Sequence, residues 1–161
     1  MDHVVGAELA FAAAAAGHPC LRFNYRGVGA SQGKRGEGEA LIEDALAALE
    51  VGVENAGGGP VVLASINGSD AVALEVRRRE KERVSGLLLV SPLSSGPADW
   101  PEEVWVVIGE EDNAQLRSTL TPSGRRVEVI LGANRSFQRG LPLVGKAGVS
   151  CLTEAAMSRK H

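Results

Sequence analysis

The residues of this sequence that could do chemistry are a glycine-rich loop, two cysteines, and the serines, acids and histidines from which a nucleophilic site would be built. The loop reads Arg26-Gly27-Val28-Gly29-Ala30-Ser31-Gln32-Gly33. A dinucleotide fingerprint needs its third glycine at the helix start, under the pyrophosphate, and here Gly27-x-Gly29-x-x-x-Gly33 has one residue too many. Gly33-Lys34 resembles the close of a phosphate loop, but Val28 stands where the first glycine is required and Arg35 replaces the magnesium-binding hydroxyl. Nucleotide binding is not expected, and nothing points to another cofactor. Cys20 and Cys151 sit among apolar residues with no second Cys or His at ligand spacing. That argues against a metal site and a disulfide framework, and both thiols are expected to be buried. His3 and His18 precede the glycine loop and His161 is the last residue.

At 161 residues the chain has the length of one domain with one core. Hydrophobic residues at 44% against 23% charged place it among folding chains, and aromatics at 4% leave Ala, Val, Leu and Gly to build the interior. A formal charge of -3 provides no broad basic surface, so neither nucleic acid nor an anionic membrane is an expected partner. The alanine-rich stretch at 10–16 falls far short of the ~20 apolar residues of a membrane span and has no basic region ahead of it. A cytoplasmic location follows as the default expectation.

Short β-branched runs alternate with longer amphipathic or alanine-rich ones, the pattern of β-α-β units. The expected fold is α/β, a mostly parallel sheet with helices on both faces, in a single domain over residues 1–161. Residues 4–16 read as a helix stopped at Gly17, with Asp2 or His3 near its start. Residues 20–24 read as a strand feeding the glycine loop, and 39–54 as a helix with Leu41, Ala45, Ala48 and Leu49 on one face. Beyond Gly57-Gly58-Gly59-Pro60, the apolar run Val61-Val62-Leu63-Ala64 suits a central strand covered on both faces. A helix from Asp70 carries Val72, Leu74 and Val76 and closes in the mixed-charge run 77–83, a solvated helix end. Strands at 87–90, 104–108 and 127–131, a short polar segment near 115–120 and a last helix over 143–159 complete the chain.

The stretch Leu21-Arg22-Phe23-Asn24-Tyr25-Arg26-Gly27-Val28-Gly29-Ala30-Ser31-Gln32-Gly33 resembles the LRFN-(Y/F)-RG-x-G-x-S-x-G segment of small α/β-hydrolases, the compact, lidless, dienelactone-hydrolase-like members. The resemblance implies the family's fourth strand and the loop after it. It extends over nearly the whole chain: Met1-Asp2 with Val4-Val5 resembles the family's first helix, Gly109-Glu110-Glu111-Asp112 its acid-bearing loop, and Gly132-Ala133-Asn134-Arg135-Ser136-Phe137 its histidine loop. It also implies that the family's first strands are absent, among them a third strand that would lie between the fourth and fifth. Their absence either brings those two strands together or leaves unpaired edges in mid-sheet. An exposed edge would invite a homodimer or a strand from a partner protein.

The resemblance implies a degenerate catalytic triad. Aligning Val61-Val62-Leu63-Ala64 with the family's fifth strand puts Ser65, Ile66, Asn67, Gly68 and Ser69 on the glycine-x-serine-x-glycine turn, with Asn67 in the nucleophile's place. An amide cannot act there as nucleophile, although Asn tolerates the turn's left-handed backbone. Ser65 and Ser69 lie two residues to either side, where neither projects from the apex. Arg135 stands where the family carries its histidine, and a guanidinium does not accept a proton at neutral pH. Asp112 alone matches, and an aspartate with no histidine to orient is expected at the surface or at a cap. The reading that follows is a non-catalytic protein whose Asn67, Asp112, Asn134 and Arg135 mark a vestigial site for a small polar or anionic ligand. The rival readings are a divergent esterase that uses Ser65, Ser69 or Ser31 on a small ester or thioester, and a regulatory or structural subunit of an oligomer.

Overall fold

The computed structural model describes residues 3–93, 100–101, 103–120 and 125–158. Met1, Asp2, Arg159 and His161, which entered the sequence reading, lie outside them. The described chain runs α1 (Val4–Ala15), α2 (Glu39–Asn55), β1 (Val61–Ile66), α3 (Asp70–Arg79), β2 (Val84–Val90), β3 (Val104–Gly109), α4 (Ala114–Leu120), β4 (Arg126–Ile130) and α5 (Leu141–Met157). The four strands are all parallel and lie in chain order, β1-β2-β3-β4. The expected α/β architecture is therefore present.

The inner strands β2 and β3 are rich in buried apolar residues because both of their faces are covered. On one face, Val62, Ile66, Leu88, Val90 and Val107 pack under Val5 and Leu9 of α1 and Val144, Ala147 and Cys151 of α5. On the other, Leu87, Leu89, Val104, Val106 and Ile108 pack under Ala73 of α3 and Leu116 and Leu120 of α4. Leu49 of α2 joins Val76 and Val84 there. Helices α1 and α5 approach closely because α5 presents glycines: a Cβ on Gly148 would meet Leu9 Cδ2 at 2.7 Å, and one on Gly145 would meet Ala12 Cβ at 2.9 Å.

Three expectations need correction. Residues 20–24 are extended but form no strand, because no neighbouring chain supplies a ladder partner among the described residues; Leu21 and Phe23 are consequently exposed. The run beginning at Val61 is an edge strand of the sheet, covered on its faces but unpaired along its outer side. Cys20, at the start of the 20–24 segment, is exposed, so only Cys151 is a buried thiol. The mixed-charge end of α3 is solvated but tied: Arg79 pairs with Glu39 and Glu75, and Arg83 with Glu50. The segment near 115–120 is helical, with Leu116 and Leu120 one turn apart and both buried.

Candidate functional site

Parallel strands deliver all their C-terminal ends to one edge of the sheet, so the residues just after β1, β2, β3 and β4 share that edge. These are Asn67, Ser91, Asp112 and the loop that reaches Arg135.

Asn67 follows the last residue of β1, and its N–H donates to the Val90 carbonyl at 3.0 Å, holding the turn against β2. Its φ is 49°, a left-handed value that Asn tolerates better than most residues. Gly68 continues at φ 104°, and a Cβ there would meet Leu93 Cδ1 at 2.6 Å, so the turn requires glycine. Ser69 then caps α3 through its carbonyl, which accepts from the Ala73 N–H. The buried Asp70 carboxylate accepts the Leu93 N–H at 3.1 Å and fixes the opposite wall. The Tyr25 phenol is held above its ordinary pKa chiefly by burial, with Ser69 opposing that shift. Ser65 is 3% exposed within β1 and cannot meet a substrate.

Asp112 sits on a tight turn closed by its own N–H donating to the Gly109 carbonyl. It is not the surface residue that an isolated aspartate suggests. Its side chain is only 4% exposed, Arg135 Nε donates to its Oδ1 at 3.0 Å, and Arg135 Nη2 completes the ion pair at 3.0 Å from the same oxygen. Asn134 holds the Arg135 loop from within, its Oδ1 accepting from the Ser136 N–H at 3.1 Å and the Ser136 hydroxyl at 2.9 Å. Phe137 follows in a left-handed conformation, φ 51°, and is buried in the core. The two loops touch through backbone: Glu111 N–H donates to the Ala133 carbonyl, and a Cβ on Gly109 would meet that oxygen at 2.3 Å.

The sequence-derived residues therefore fall into two groups. Asp112 and Arg135 form an ion pair, with Asn134 bracing the same loop. Asn67 stands apart at the edge strand, and among the described residues its side chain pairs with neither of them. Its partner is His3: Asn67 Nδ2 and His3 Nε2 are 2.9 Å apart. Sequence reasoning missed this, because His3 is remote from Asn67 along the chain and reaches it only through the docking of α1. It also missed Ser91, which follows β2 at φ 48°, is 0% exposed, and whose hydroxyl has no hydrogen-bond partner among the described residues. Asn67 Oδ1 and Asp112 Oδ2 are likewise buried without one. No cluster of metal-ligating side chains occurs among the described residues. An open groove of about 550 Å³, lined by Trp105, Arg126 and the end of α5, lies at the opposite, N-terminal edge of the sheet.

Solved structures match this arrangement over almost the full chain. An α-β serine hydrolase homologue from Coxiella burnetii is 26% identical with a TM-score of 0.77, covering 93% of this chain and 76% of its own. The lidless serine hydrolase XC6422 from Xanthomonas campestris is 21% identical with a TM-score of 0.80, covering 96% and 74%. The chain has an α/β-hydrolase-like fold. A protein of unknown function from Agrobacterium tumefaciens, at 19% identity, gives the same TM-score of 0.80 over 99% of this chain and 80% of its own. No protein-family model and no curated protein matches the sequence. Among the described residues no helix is long and apolar enough to cross a membrane.

Proposed function

We propose that this α/β-hydrolase-like protein is not a hydrolase, and that the C-terminal edge of its sheet is kept for its shape and contacts. The observation that carries this reading is the Arg135–Asp112 pair: the only acid that matches a catalytic triad is buried against a permanent cation. A triad aspartate works by accepting the N–H of a histidine that shuttles protons, and a guanidinium cannot shuttle them. The turn at Asn67 supports the same conclusion, since a left-handed backbone there presents a carboxamide, and a carboxamide does not attack a carbonyl carbon. Among the described residues His3 touches Asn67 and no serine hydroxyl, so it activates no serine nucleophile.

Labelling the purified protein with a fluorophosphonate probe, followed by mass-spectrometric mapping against a heat-denatured control, tests the proposal without a known substrate. Labelling no greater than the control is expected. Specific modification of Ser31, Ser69 or any other serine would overturn the proposal in favour of a divergent esterase.

A role in assembly accords with one further observation. Val61 and Asn67 both donate their N–H groups toward β2, to Arg83 and Val90. The alternation of a parallel ladder then turns the N–H groups of Val62, Ala64 and Ile66 to the open side of β1. The uncharged sequence VVLASI offers no lysine or proline to protect that side. On this reading the edge takes up a strand from a second copy or a partner protein.

A further inference from the structure

We propose that Asn67 is a self-modification site, where the backbone nitrogen of Gly68 closes on the side-chain carboxamide and converts the residue to aspartate or isoaspartate. The inference rests on the turn and not on the loss of hydrolase activity, and it would stand if that proposal fell. Three features of the turn converge on one side chain.

The first is the dipeptide. Asn24, Asn55, Asn113 and Asn134 precede Tyr, Ala, Ala and Arg, and only Asn67 precedes glycine. Asparagine is the thermolabile amide because its Cγ lies within five-membered-ring reach of the next backbone nitrogen. A glycine there puts no Cβ in the way of ring closure, and the left-handed φ of 104° favours glycine at this position. The second is the attacking atom. The Gly68 N–H precedes α3 and has no hydrogen-bond partner among the described residues, whereas the Asn67 N–H is anchored to Val90. The nucleophile is thus free while the residue it attacks is held. The third is the leaving group. The amide nitrogen of Asn67 lies 2.9 Å from His3 Nε2, and imidazole is the side chain best suited to pass a proton at neutral pH.

The step balances without any oxidant or co-reactant except water. The Gly68 nitrogen loses its proton and bonds to Cγ of Asn67, giving a tetrahedral centre. The Cγ–Nδ2 bond breaks as that nitrogen takes up a proton delivered through His3, and ammonia departs to leave a cyclic imide. Water then opens the imide at either carbonyl, giving aspartate or isoaspartate. Either product puts a carboxylate at the apex of the turn, and isoaspartate adds a methylene to the main chain there.

Peptide mapping of the folded protein through a time course at physiological temperature, beside a sample held unfolded in urea, tests this. The Asn67 peptide is expected to gain the amide-to-acid mass change severalfold faster in the folded protein than in urea. The other asparagines should hold their amides. His3→Ala should bring the folded rate of Asn67 down to the unfolded rate, while circular dichroism reports an intact fold. A folded-state rate at Asn67 no higher than in urea would overturn the proposal, and an unchanged rate in folded His3→Ala would overturn the role of His3.

Discussion

A guanidinium that closes on a buried carboxylate does structural work that a surface arginine does not. With Asp112 4% exposed and Arg135 35% exposed, removal of the arginine leaves a desolvated anion whose other oxygen already has no partner among the described residues. Breaking such a pair costs several kcal/mol when both groups are buried, and solvent access to Arg135 reduces that to about 2 kcal/mol for Arg135→Ala. Urea unfolding should show this loss. Asp112→Asn in the same background should recover part of it, because no buried charge is then stranded. The two thiols give a second test at the same scale. Cys20 is exposed and Cys151, on α5, is buried in the core between the sheet and α1, so a thiol reagent should modify the folded protein at Cys20 and reach Cys151 only on unfolding. Burial, with Glu154 adding to it, pushes the Cys151 thiol from 9.0 up to about 12. The unfolded chain therefore gives up that proton first. The stability that the neutral thiol contributes is complete below pH 9.0 and lost as pH rises toward about 12, which a denaturation series across that interval would follow.

The loops after β3 and β4 are one unit, joined where Gly109 meets the Ala133 carbonyl. Backbone cannot retreat from a 2.3 Å approach as a side-chain tip can, so Gly109→Ala should destabilise the fold by roughly 3 kcal/mol and lower the melting temperature accordingly. Along β1 the expectation is the reverse. Ala64 turns its N–H to the open side, so Ala64→Pro removes no bond to β2 and should leave thermal stability nearly unchanged. If the edge mediates association, the same change should shift the protein toward monomer in size-exclusion chromatography with light scattering.

How much could be read in advance depended on what each signal measures. Apolar periodicity reports burial, and it located α2, α3 and all four strands to within a few residues, although α2 packs through Ile42, Ala45, Leu46, Leu49 and Val53 rather than the expected Leu41, Ala45, Ala48 and Leu49. It failed at residues 20–24, where the residue types suit a strand but the backbone has no neighbour to pair with; pairing is a property of the assembled sheet, not of the segment. It expected Val61-Val62-Leu63-Ala64 to be a central strand covered on both faces; helices do pack against Val61, Val62 and Leu63 from both faces, but the strand is at the sheet's edge and Ala64 is exposed. Among site residues, the left-handed backbone at Asn67 was legible because it depends on one residue's tolerance. The Arg135–Asp112 pair and the His3 contact were not, since each joins residues far apart in the chain.

At the scale of the whole molecule, the sheet grows in the order of synthesis while one of its faces waits. Strands β2 to β4 each pair with the strand made just before, and α2, α3 and α4 cover their face as the chain lengthens. The other face is covered by α1 and α5, the first and last helices, which meet each other over it. A ribosome-bound chain that has finished β4 therefore still presents Leu88, Val90 and Val107 to solvent, with α1 lacking the helix it leans on. Completion of that face depends on α5, and nascent chains arrested before α5 emerges should be held by chaperones or lost to proteolysis, whereas those in which it has emerged should survive.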